Sequence, residues 1–168
     1  MLFFRKKPAA DNSSAPASSI PPVQLIRSSA PQLSQALPTQ PDPRIRLVLG
    51  YISPNADMDA VSRSVRERYP KASVLLTSTA GELCAQRSSD TLYQDTPQGW
   101  QGVVLQLFSD ALIEQVHIAN VPLGCEDIRQ GAPKLKHDAR VAQLARTLGQ
   151  LRLPFSMRAE EGFVLTLA

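Results

Sequence analysis

A chain of 168 residues, 43% hydrophobic and 20% charged, carries enough apolar surface for one domain with a real core. Only 5% of its residues are aromatic, so that core must be built mostly from Leu, Val, Ile and Ala. The net charge of +3 is small and the Lys and Arg are interleaved with acids, which leaves no basic stripe for nucleic acid, and no apolar run approaches the roughly 18 residues of a membrane-spanning helix.

The opening Met1-Leu2-Phe3-Phe4-Arg5-Lys6-Lys7 places apolar residues before the charge, the reverse of a secretory signal, and is expected to be a frayed terminus. Between Pro8 and Pro43 fall 8 of the 14 prolines, among many Ser, Ala and Gln. Such a stretch buries too little to offset its ordering entropy, so residues 1–43 are expected to form a disordered Pro/Ser-rich tether. Within it, the island Val23-Gln24-Leu25-Ile26-Arg27 either docks as an edge strand or lies on the surface.

The ordered domain is expected over 44–168. Ile45 to Ile52 is a buried strand, apolar on both faces toward its end. Ser53-Pro54-Asn55-Ala56-Asp57 supplies helix-start chemistry, with Ser53 or Asn55 as cap and Asp57 favouring the positive end of the dipole. Met58, Val61, Val65 and Tyr69 then share a helical face, with Arg63, Arg66 and Arg68 largely away from it. Pro70 stops the helix, and Ala72 to Thr77 is the next strand. Strand, helix and strand at this spacing make a βαβ unit with parallel strands.

Gly99 to Phe108 and Ala111 to Ile118, separated by Ser109-Asp110, are expected to pair as an antiparallel hairpin. A loop from Ala119 to Pro133 leads into a helix from Lys134 to Leu151, whose apolar stripe is Val141, Leu144, Ala145 and Leu148. Phe163 to Ala168 is a last strand. The fold class is therefore α/β of the mixed α+β kind, a mixed sheet flanked by helices. A chain ending inside an apolar strand is expected to be a fragment of a longer protein.

The chemistry concentrates at Thr77-Ser78-Thr79-Ala80-Gly81-Glu82, at the carboxyl end of a strand, where open α/β sheets bind ligands. Backbone amides before a helix favour an anion. Ser78 and Thr79 add hydroxyls, Gly81 allows close backbone approach, and Glu82 can hold an ammonium, so the set suits a zwitterion such as an amino acid. The alternative is structural, with Ser78 and Thr79 capping a following helix and Glu82 completing a capping box. Ser78 lacks a GxSxG context and an evident base, which argues against catalysis.

His137 falls one turn before Val141, on the apolar stripe. It either ligates haem or sits as a first-turn residue at a core edge, and no other metal ligand set is evident. His117 alternates with Gln115 and is expected to face out. Cys84 and Cys125 are far apart in sequence and outside any CxxC, as expected of reduced thiols in the cytoplasm.

Leu47 to Pro54, a short helix, and then Leu75-Leu76-Thr77-Ser78-Thr79-Ala80-Gly81-Glu82-Leu83 resemble the N-terminal part of the FIST family, sensory domains of bacterial signal transduction. The later strands and Phe163 to Leu167 fit the family's order. Thr77 stands where the family commonly has cysteine, and Leu76 where it has glycine. The resemblance implies small-ligand sensing, with amino acids as the usual ligand and Ser78, Thr79, Gly81 and Glu82 as pocket residues. It also implies an output partner, namely a chemoreceptor, a histidine kinase or a cyclic-dinucleotide enzyme. Some relatives are haem-containing nitric-oxide sensors, and a ligand-free interaction scaffold is the remaining alternative.

Overall fold

A computed structural model of the chain describes residues 1–6, 21–79, 82–83, 93–94, 99–122, 126–156, 158 and 162–165. Its strands are β1 (Leu2–Lys6), β2 (Val23–Ser29), β3 (Ile45–Ile52), β4 (Ser73–Ser78), β5 (Glu82–Leu83), β6 (Tyr93–Gln94), β7 (Gly102–Ser109), β8 (Ile113–Ile118) and β9 (Gly162–Leu165). Its helices are α1 (Leu33–Ala36), α2 (Met58–Arg68), α3 (Glu126–Arg129) and α4 (His137–Gln150), with a 3-10 turn, Ala30–Gln32, before α1.

Ile45-Arg46-Leu47-Val48-Leu49-Gly50-Tyr51-Ile52 is apolar on both faces because both faces are covered. β3 lies inside a four-stranded sheet of order β2-β7-β3-β4. It pairs parallel with β4, to which α2 connects it, and antiparallel with β7. On one face Val48 and Ile52 join Val103, Leu105 and Leu107 of β7, and α2 lays Val61 and Val65 over them, with Tyr69 just after it, Leu33 of α1 and Leu37 just after that helix. On the other face Leu47 meets Leu2 and Ile113 of a second sheet, of order β8-β1-β9. The fold is thus three layers, helices on a mixed sheet on an antiparallel sheet, and the mixed α/β class and the βαβ unit stand as expected.

Two details show how closely the layers fit. The register of β3 against β7 shifts between Ile45 and Leu47. That extra residue turns Arg46 out toward Asp110, 3.8 Å away, and puts Ile45 and Val48 on one face. At Gly50 a β-carbon would lie 2.9 Å from Leu105 Cδ2 and against Leu76 Cδ2 as well, so the glycine leaves the space into which these two neighbouring leucine side chains pack.

Three expectations need correction. The first 43 residues are not all tether. Leu2 is fully buried and β1 is the central strand of the second sheet, paired with β8 and β9. β2 is an edge strand bonded to β7 along its length, one of the two positions foreseen for Val23 to Arg27, and Leu33 and Leu37 are buried in the core. Residues 7–20 lie outside the described residues.

The two strands expected to form a hairpin exist but belong to different sheets. β7 is already bonded on both sides, by β2 and β3, so it has no edge to offer β8. The chain turns at Ser109, whose carbonyl accepts the Leu112 N–H at 3.1 Å, and β8 crosses to β1.

The helix over α4 forms, but its stripe is not core. No residue of α4 is buried, and Val141 and Leu148 are 51% and 40% exposed. What holds its start is polar. Asp127 accepts the Lys134 amide at 2.7 Å and the Arg140 guanidinium at 2.8 and 2.9 Å.

Candidate functional site

Parallel pairing brings the carboxyl ends of β3 and β4 side by side, Ile52 opposite Ser78. Thr79, next in the chain, donates its amide back to the Ile52 carbonyl at 2.9 Å. The Thr77 hydroxyl turns to the Ser78 carbonyl at 3.4 Å, while Ser78 itself is exposed and Thr79 half-buried.

Across β3 the same end is clamped by the turn that enters β7. Ser53 is buried. Its amide donates to the Gly102 carbonyl at 2.9 Å and its Oγ accepts the Gly102 amide at 3.1 Å. The Asn55 amide donates to the Trp100 carbonyl and Asn55 Nδ2 to the Gly99 carbonyl, both at 3.2 Å. Gly99 and Trp100 both have left-handed φ, 74° and 61°. For a tryptophan that conformation is strained, and the residue is 46% exposed.

Ser53 and Asn55 are therefore not the cap of α2. Asp57 is, its carboxylate accepting the Ala60 amide at 2.9 Å. Their partners lie some 45 residues downstream. Gly99 and Trp100, expected at the start of the strand, instead form the turn ahead of it, and β7 begins at Gly102. The usable signal was the glycine ahead of Trp100, a residue suited to left-handed turns.

Of the four residues singled out, Ser78 and Thr79 are brought to the joint strand end. Glu82 opens β5, opposite Gln94. Gly81 and the side chain of Glu82 lie outside the described residues. That Glu82 begins a strand overturns the helix start assumed after Thr79.

A cavity of about 710 Å³ lies between α2 and β4 but extends along β4 only to Leu76, short of Ser78 and Thr79.

His137 is 88% exposed at the start of α4, 3.5 Å from the Asp138 carboxylate. Haem needs apolar walls around its axial ligand, and the described surroundings of His137 do not supply them. His117, half-buried on β8, has its ring 6.3 Å from that of Phe3. Among the described residues no three His, Cys, Asp or Glu side chains gather as a metal site, and none of the helices is long and apolar enough to cross a membrane. Cys84 and Cys125 lie outside the described residues. No family model, curated protein or solved structure matches this chain.

Proposed function

We propose that the chain is a small-ligand sensory domain of a bacterial signalling protein, working in the cytoplasm by binding rather than by catalysis. The observation that carries this reading is the parallel β3–β4 end, where exposed Ser78 and half-buried Thr79 lie beside a backbone clamped by Ser53 and Asn55. Strand ends of this kind are where α/β sheets take ligands. The resemblance of Leu75 to Leu83 to FIST sensory domains supports an amino acid as the ligand. Glu82 then holds the ammonium and Ser78 and Thr79 the carboxylate, with Gly81 allowing the backbone to approach. Output follows when the ligand favours one of two conformations, read by a chemoreceptor, a histidine kinase or a cyclic-dinucleotide enzyme.

The test is a thermal-shift panel of amino acids on the full chain, followed by calorimetry. A ligand at a hundred times its Kd adds about 2.7 kcal/mol of stability and raises Tm by several degrees. Glu82→Ala should abolish binding of the aminated ligand with the fold intact, and unchanged affinity would remove Glu82 from the site. If no ligand in the panel shifts Tm and a signalling protein copurifies, the scaffold reading replaces this one.

A further inference from the structure

Among the described residues β4 is an edge of the central sheet. An open edge is a row of unpaired N–H and C=O groups, and proteins blunt it with charge, proline or a bulge. β2, at the opposite edge, contains Arg27 and follows Pro21-Pro22. β4 has none of these devices. Ser73-Val74-Leu75-Leu76-Thr77-Ser78 carries no charge and no proline, and it pairs with β3 over all six residues without a register shift. The Thr79 amide points to β3. Since backbone groups alternate sides along a strand, Val74, Leu76 and Ser78 turn theirs to the open side.

Beside this edge runs the groove of about 710 Å³, with Met58, Asp59, Ser62 and Arg66 of α2 as one wall and Val74 and Leu76 among the residues of the other. Asp59, Ser62 and Arg66 are spaced three and four apart and form one helical stripe. The acid lies in the first turn and the base in the last, roughly 10 Å apart along the axis. Asp59 and Arg66 form no ion pair among the described residues.

We propose that this groove is filled by a second copy of the chain, β4 pairing antiparallel with β4 of the other copy across a two-fold axis. The two sheets then join into one of eight strands, and the α2 helices lie antiparallel above the seam. The argument is charge complementarity under symmetry. A two-fold contact uses the same patch twice, and reversing α2 sets each Asp59 against the other copy's Arg66. One stripe thus supplies two matched pairs, while Met58, Val74 and Leu76 lose their remaining exposure. The edge that lacks protective devices is then the edge that is covered. The proposal does not depend on the ligand reading.

Sedimentation velocity on the full chain across micromolar concentrations tests it, with a dimer expected. Asp59→Arg and Arg66→Asp each set like charges together at both contacts and should weaken self-association by roughly ten- to a hundred-fold. The double variant swaps the pairs and should restore the dimer. Position 59 and position 66 are both exposed, and far-UV circular dichroism checks that each variant is folded. Hydrogen exchange at the Val74, Leu76 and Ser78 amides should slow as concentration rises. A monomer at every concentration, single reversals without effect, a double variant that stays weak, or edge protection independent of concentration would each overturn it.

Discussion

α2 and α4 look alike as sequence and end differently. Both place apolar residues at helical spacing, over 11 and 14 residues. α2 buries Val61 and Val65 completely against the sheet and is capped by the Asp57 carboxylate. α4 buries nothing, and its cap position, Lys136, makes no side-chain bond. The difference lies in the connections. α2 crosses over between two strands that are hydrogen-bonded neighbours, so the sheet holds both of its ends over the core. α4 follows the departing strand β8 and is joined to the residues before it by the Asp127–Arg140 pair. An apolar stripe states that a helix can be covered, and topology decides whether it is.

The largest effect that sharpens this contrast is at Val65. Val65→Ala removes two buried methyl groups beneath α2 and should lower unfolding stability by about 2–3 kcal/mol in denaturant melts. A cost under about 1 kcal/mol would mean that α2 is as loosely seated as α4. Next comes the cap. Asp57→Ala leaves the Ala60 amide without its acceptor and should cost about 1 kcal/mol, whereas Lys136→Ala at the matching position of α4 should cost nothing measurable.

The same contrast explains what could be read in advance. β3, α2 and β4 were legible because their signals are local: an apolar run, a polar start with Asp57, a stripe at period 3.6, and Pro70 as the stop. The strand end carrying Ser78 and Thr79 followed from the same unit. β1 was not legible, since Leu2-Phe3-Phe4 makes a strand only because β8 and β9 flank it, and those partners lie more than a hundred residues away. The roles of Ser53, Asn55 and Trp100 were hidden for the same reason, each being set by a bond across the sheet. The hairpin failed because occupancy of both edges of β7 cannot be seen from β7 and β8 alone.

A smaller prediction concerns the polar joint at the start of α4. The Lys134 amide, ahead of the Arg140 guanidinium, holds the Asp127 carboxyl below its ordinary value of 3.8. A depressed carboxyl stabilises the joint at pH values above its unfolded pKa, and that contribution is lost as pH falls through the folded value. The order of the two causes makes the test specific. In Arg140→Ala, an NMR titration should show Asp127 moving up only part of the way to its ordinary value, because the Lys134 amide remains. Full recovery would make Arg140, not the backbone, the main support.

The smallest expected effect is also the one that could undo the comparison. Leu148 is 40% exposed on a helix with no buried residue, so Leu148→Ala has little packing to lose, and alanine raises helix propensity slightly. Chemical denaturation should find the variant within about 0.5 kcal/mol of the parent, the range of ordinary surface changes. A loss of 2 kcal/mol or more is the signature of a core leucine. It would show that the stripe of α4 is covered in solution, leaving α2 and α4 alike in burial as well as in sequence.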